Sequence, residues 1–352
     1  MYSPRFTITN EVLQNVANIE ACREVIENAP LIPSYEKKFQ DDAALRTVYH
    51  GTHLEGNDLT FTQAQRVLEG EQIVARERDI QEVINYRNVM RFLDTITRPL
   101  TYTIDLLCHL HTLTIERLLP PESVGAIRQT QVVVKDAATG GVTFRPPPSV
   151  EVPFLLDDFF NWLNSKEGRE VHPVLRAGIT HYVLVAIHPF VEGNGRASRS
   201  FATLVLFAEG YDIKRLFSLE EYFDKDAAAY YEVLQKVSSE SQDLAERDLT
   251  HWLIYFTSGL AVELEKVREQ VRRISADLQI KRRVGHQVAL SDRQLKIMEY
   301  LNAHGNIQMK YAKKLIPMVS EDTILREFQD LVRQGIIKKE SHGRGSTYKL
   351  KT

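Results

Sequence analysis

The 352-residue chain is 43% hydrophobic and 26% charged, with 17 Gly, 13 Pro and two Cys, which excludes a disordered chain and leaves room for two or three packed domains. Its 44 Lys and Arg against 47 Asp and Glu leave a formal charge of −3, which excludes a polycation built to coat nucleic acid. Cys22 and Cys108 are too few for a disulfide framework, the first residues lack a basic-then-apolar leader pattern, and no apolar run approaches bilayer length, so a cytoplasmic protein is expected.

In chain order, apolar residues recur at helical spacing over 62–68, 79–93, 103–118, 154–164, 174–187, 199–209 and 227–237. Residues 129–134 and 142–145 are β-branched and flank a turn cluster at 136–141, so they read as a β-hairpin, closed by Pro146-Pro147-Pro148. A hairpin alone among helices has no larger sheet to join and is expected to edge a cleft. Residues 244–283 hold one breaker, Gly259, and read as a helical spacer. Composition then shifts: 285–352 carry a balance of +5, against −8 for 1–284. Helical segments at 292–303, 310–316 and 321–334, then Ile336-Ile337, a Gly343-Arg344-Gly345 tip and Ser346-Thr347-Tyr348, outline a winged helix. Its third helix carries Glu321, Asp322, Glu327 and Asp330 against Arg326 and Arg333, a balance of −2 on the element meant to enter a polyanionic groove. Protein contact is therefore favoured over sequence-specific DNA reading.

The chemistry concentrates in His188-Pro-Phe-Val-Glu-Gly-Asn-Gly-Arg-Ala-Ser-Arg199. Gly193-Asn194-Gly195 permits positive φ just ahead of a helix, so backbone N–H groups and the helix dipole make an anion nest. Arg196 and Arg199, three apart, lie on one side of that helix and suit phosphate oxygens. Glu192 is placed to hold Mg²⁺ against the same phosphates. His188, held at a helix end by Pro189, suits a general base for a hydroxyl. Singly, each is more often a helix stop, a turn or a solvated face; contiguous and in this order, they are the parts that nucleotidyl or phosphoryl transfer needs.

This stretch resembles the Fic-domain motif HPFx[D/E]GNGRxxR. His181, Ile187, Gly125-Ala-Ile-Arg128, the hairpin and its prolines also fall where that family places them, so the resemblance covers about residues 40–260. It implies a mainly α protein: a helical Fic core with a β-hairpin flap, beside the C-terminal winged helix-turn-helix. It also implies transfer of AMP from ATP to a hydroxyl of a target protein. His188 would be the base, Glu192 the Mg²⁺ ligand, Gly193, Asn194 and Gly195 the α/β-phosphate cradle, and Arg196 and Arg199 the β/γ-phosphate ligands. Phe190 would be a core anchor. The flap, Gln131, Val132, Val133 and Val134, would register the target by strand addition. No sharp motif marks the adenine pocket; Tyr230, Tyr231 and Trp252 are its aromatic candidates, and the same aromatics serve equally as core.

Upstream, Tyr49-His-Gly-Thr-His-Leu-Glu-Gly-Asn57 resembles the inhibitory segment [S/T]xxxE[G/N] of autoinhibited Fic proteins, with Gly51 where Ser or Thr is usual. The resemblance implies that Glu55 pairs with Arg199 and denies it to ATP. The same carboxylate could align water to remove AMP. Two further readings stay open: a de-AMPylase using Glu55, and a DNA-binding regulator whose Fic core senses nucleotide. The expected division is 1–100 with the inhibitory segment, a core at 101–245, a linker helix at 246–284 and the winged helix at 285–352. Expected partners are ATP and a target protein; a homodimer and DNA contact are admitted, DNA not favoured.

Overall fold

The computed structural model describes residues 2–29, 31, 33–135, 140–284, 290–342 and 345–351. The turn at 136–139 and the wing tip at 343–344 lie outside the described residues. Two compact units divide the chain, Met1–Glu27 with Pro33–Lys266, and Asn28–Ile32 with Val267–Thr352. No helix among the described residues is long and apolar enough to cross a membrane.

The first unit runs through α1 (Asn10–Glu27), α2 (Pro33–His53), α3 (Phe61–Leu68), α4 (Glu77–Leu93) and α5 (Ile104–Ile115) to a hairpin. Its strands are β1 (Val134–Lys135) and β2 (Val142–Phe144). Then come α6 (Val152–Asn164), α7 (Lys166–Glu170), α8 (Pro173–Ile187), α9 (Asn194–Ala208), α10 (Leu219–Lys225), α11 (Ala227–Ser238) and the first part of α12 (Thr250–Val284), whose residues from Val267 belong to the second unit. Helix α8 is apolar on every face and correspondingly central: Leu175, Ile179, Tyr182, Val183, Leu184 and Ile187 are all buried. It packs along α9, while α5 and α4 press on α9 from another side. Gly178 permits α12 to approach, since a Cβ there would stand 2.9 Å from Leu253 and 3.0 Å from Phe256. In that gap Trp252 donates from Nε1 to the Gly178 carbonyl at 2.7 Å. The motif 188–199 is thereby the loop between these two buried helices together with the first turns of α9.

The second unit holds α13 (Asp292–His304), β3 (Asn306–Gln308), α14 (Met309–Leu315), α15 (Glu321–Arg333), β4 (Ile337–His342) and β5 (Gly345–Leu350). Strand order is β3-β5-β4, antiparallel throughout. Ile324, Phe328 and Leu331 of α15 face a small core where Phe328 stacks on Tyr348 at 4.1 Å. Helix α13 begins with a capping box between Ser291 and Gln294.

Three elements differ from their sequence outlines. Among the described residues the hairpin pairs Val134↔Phe144 and Lys135↔Val142, and Gln131, Val132 and Val133 lie outside its strands. The spacer helix begins at Thr250, because Leu244–Glu246 form a separate 3-10 turn capped by Asp243. Strand β3 has no sequence signature of its own; three residues suffice because β5 supplies every backbone partner.

Candidate active site

The site is built by a helix that must stop and one that must start. His188 N–H still donates to Leu184 at 3.0 Å, but His188 itself turns left-handed, φ 55 and ψ 59, and Pro189 bars continuation. Gly193, at φ 77, then opens α9 with no side-chain cap. The first-turn N–H groups of Asn194, Gly195 and Arg196 have no acceptor one turn back and point out of the helix end. The loop between is clasped by Asn194, which accepts from Phe190 N–H at 2.8 Å and donates to Phe190 C=O at 2.9 Å. The Asn194 amide thus shapes the nest, and what it presents to an anion is backbone N–H.

The His188 ring places Nδ1 3.2 Å from the Val185 carbonyl. A carbonyl only accepts, so Nδ1 carries the hydrogen and Nε2 is the bare nitrogen. Burial, with Arg128 nearby, pushes its pKa down to about 4, against the smaller upward pull of Val185 C=O and Glu55. The imidazole is therefore neutral at pH 7, as a base must be.

Two residues with no sequence signal of this role hold the loop. His111 of α5 stacks face to face on Phe190, rings 3.7 Å apart at 2°. Its Nε2 donates to the Glu192 carbonyl at 2.9 Å and its Nδ1 accepts from Gly125 N–H at 3.0 Å. Both ring nitrogens are spent, and desolvation pushes its pKa down to about 4, so it braces the loop as a neutral ring. Arg128, 2% exposed, ties the flap to the loop by donating to His188 C=O at 2.7 Å, Pro147 C=O at 2.6 Å and Thr130 C=O at 3.1 Å.

Arg196 and Arg199 share one helix side but serve different carboxylates. Arg199 donates to Glu55 at 2.7 Å and to the Gly51 carbonyl at 2.9 Å, with its side chain 1% exposed. Glu55 follows the end of α2. Burial works to raise its pKa, but Arg199 and Arg196 outweigh that and hold the carboxyl below its ordinary value. A Cβ on Gly195 would fall 2.2 Å from Glu55 Oε1, so the carboxylate lies directly over the nest. Gly51 has a local reason too: a Cβ there would stand 2.4 Å from the Tyr86 ring. Arg196 lies 3.4 Å from Glu82 and 3.5 Å from Glu192, and Glu192 also pairs with Arg78. The Nε and Nη1 of Arg196 are buried and make no hydrogen bond within the described chain.

The aromatic candidates separate. Tyr230 is buried and its hydroxyl lies 3.1 Å from His181 Nε2, while Trp252 stacks on that same His181. Tyr231 is half exposed and donates to the Leu54 carbonyl at 3.1 Å, beside Glu55. Gln131 is held at the flap base, donating to Pro146 C=O at 3.0 Å.

With this geometry in hand, comparison with known proteins is direct. Residues 100–206 match the Fic/DOC family. Protein adenylyltransferase Fic of Drosophila grimshawi is 32% identical over 178 residues, covering 50% of this chain and 35% of that protein. The protein of the same name from Drosophila willistoni is 30% identical over 201 residues, 56% and 39% of the two chains. The chain thus spans little more than a third of the length of these relatives. A Fic family protein from Desulfovibrio desulfuricans G20 superposes with a TM-score of 0.65 at 22% identity, covering 99% of this chain and 98% of its own. Fic-1 of C. elegans gives 0.59 at 24% identity, covering 74% and 72%. At these identities the superpositions establish fold alone. The loop between α8 and α9 lies in the matched segment, residues 100–206, which is a Fic domain.

Proposed function

We propose that the protein is an adenylyltransferase that moves AMP from ATP to a hydroxyl side chain of a target protein, and that Glu55 holds it in check. The observation that carries this is one arrangement: a neutral His188 with a bare Nε2, beside a glycine nest whose arginine has unsatisfied buried N–H groups. A turn, a core packing site or a passive sensor has no use for all three. His188 Nε2 takes the proton of the target hydroxyl as its oxygen attacks the α-phosphorus; the bond to the bridging oxygen breaks and pyrophosphate leaves. The N–H groups of Asn194, Gly195 and Arg196 face the charge that builds on the α-phosphate. Glu192, one carboxylate at the nest with room for phosphate oxygens and water, fits the usual Mg²⁺ donor set. When bound there, Mg²⁺ would neutralise phosphate charge. Arg199 completes the phosphate site only once Glu55 lets go.

The relatives named as adenylyltransferases support this reading. Glu55 also lies over the nest, which favours, as a second reading, water activation for AMP removal. The intact His188 weighs against a nucleotide-sensing regulator, because sensing requires no base. The second unit is proposed as a winged helix that engages protein, a second copy of the chain included, before DNA. A cytoplasmic location completes the proposal, on a chain whose two cysteines provide no disulfide framework.

The test incubates the parent, Glu55→Gly and Glu55→Gly/His188→Ala proteins with Mg²⁺ and ATP labelled on the α-phosphate, followed by intact mass. An AMP adduct on the Glu55→Gly protein or on added lysate protein, absent without His188, is the expected result. Glu55→Gly no more active than the parent would remove the brake from the proposal; measurable ATP binding with no adduct would move it to AMP removal or sensing.

A further inference from the structure

Beside the nest lies a cavity of about 220 Å³ lined by Glu55, Arg78, Glu82, Glu192, Gly193 and Arg196, among others. Four of these side chains form a closed ring of alternating charge. Arg78, near the start of α4, contacts Glu192 through Nη2 and Glu82 through Nε at 3.2 Å. Arg196 lies within 3.4 Å of Glu82 and 3.5 Å of Glu192. The ring members differ in freedom. Glu82 is pinned by Asn57, which donates to its other oxygen at 2.9 Å, and the side chain of Arg196 is 3% exposed. Arg78 is the loose member, its side chain 49% exposed on a long flexible stem.

The charges around this cavity suit neither a divalent cation nor pyrophosphate arriving alone. A cation must compete with Arg78 for Glu192. A polyanion meets Glu55, Asp79, Glu82 and Glu192, with Arg76, Arg78 and Arg196 each already beside a carboxylate. Arriving together, the two remove each other's obstacle. With a metal held by Glu192, Arg78 would lose one of its two carboxylates, and its guanidinium would swing to phosphate oxygens entering beside Arg196, whose buried Nε and Nη1 make no hydrogen bond among the described residues.

We infer that Arg78 is a positioning residue that exchanges Glu192 for the β,γ-phosphates of the nucleotide when a divalent cation binds, coupling metal binding to recognition of the pyrophosphate moiety. This rests on the nucleotidyl-transfer reading of the site and names a group for its leaving half. It also explains why an exposed arginine faces the carboxylate assigned to the metal.

The test is a binding experiment in the full-length Glu55→Gly protein, with and without Arg78→Ala or Arg78→Lys. Mn²⁺ binding is followed by electron paramagnetic resonance; pyrophosphate and AMP binding by calorimetry, each with and without Mn²⁺ and corrected for complexes in solution. Arg78→Ala is expected to bind Mn²⁺ alone several-fold more tightly and Mn²⁺–pyrophosphate about tenfold more weakly, the loss of one charge-assisted contact. AMP affinity should stay constant, and Arg78→Lys should recover part of the pyrophosphate affinity. A merely structural surface pair would move none of these ratios, so unchanged Mn²⁺ and pyrophosphate affinities in Arg78→Ala overturn the inference. If the Glu55→Gly protein binds neither ATP nor pyrophosphate with Mn²⁺, the nucleotidyl-transfer reading fails and takes the inference with it.

Discussion

At the scale of single residues, protonation state decides what the site can do. His188 is kept neutral by burial, and its tautomer is set by one carbonyl, that of Val185. A base with its pKa near 4 remains a base well below the usual histidine range. Transfer by the Glu55→Gly protein should therefore hold steady from neutral pH down to about 5 and fall as pH drops through about 4. Removing Glu55, one of the groups that hold the His188 pKa up, moves that limb no higher. A pH–rate profile with its acid limb near 6.5 would mean that the His188 imidazole is solvated in the active protein. Asn194 and Tyr231 show how residue type underdetermines role: the first clasps its own loop, and the second tethers the turn at Leu54 beside Glu55.

At the scale of elements, the proposed brake follows the end of α2 and depends on how closely that helix meets α4. Gly51 sets the distance. Replacing a helical glycine by alanine ordinarily gains about 1 kcal/mol of helix propensity. Here the new methyl would enter the Tyr86 ring, which is fully buried and anchored by its hydroxyl to Glu220 at 3.0 Å, so it has little room to yield. Overpacking of this kind costs about 1–3 kcal/mol and outweighs the propensity gain. Gly51→Ala should lower the melting temperature and, by displacing the carbonyl that holds Arg199, raise AMP transfer above the parent. A variant as stable and as silent as the parent would show that α2 is not held at this point. Further grips on α2 come from α10: Asp224 accepts from His50 at 2.7 Å and from His53 at 2.8 Å. Between them these contacts explain how a segment with Gly in place of Ser or Thr still positions its glutamate.

At the scale of the whole molecule, charge placement bears on partners. Three of the four acids of α15 are occupied within their own unit: Glu327 with Arg293 at 2.7 Å, Glu321 with Lys313 at 2.7 Å, and Asp330 with Gln294 at 2.9 Å. Neutralising partners reduce the repulsion that α15 would meet in a DNA groove, but they also consume the side chains that would read bases. The full-length protein should accordingly show no sequence-selective shift of duplex DNA, and any binding at low salt should vanish by about 0.2 M salt. A salt-resistant, sequence-selective complex would reverse the proposed preference for protein.

Much of this was legible in the sequence because it is local. The run from His188 to Arg199 needs only a proline to stop one helix, a glycine to start the next and the apolar patterning that buries both; those are properties of neighbouring residues. Glu55 was reached through a short motif, and its partner through a resemblance, since 144 residues separate Glu55 from Arg199. What the tertiary structure alone decided lies in contacts that no spacing encodes. It turned the His188 ring by the carbonyl at Val185, seated His111 under Phe190, gave Gly51 its reason in Tyr86, and brought Arg78 to Glu192 across 114 residues. Backbone stereochemistry and hydrophobic periodicity act over a few residues and so can be read along the chain. The tautomer, the brake and the ring of charges depend on which helices share a core, and packing sets that only after the chain has folded.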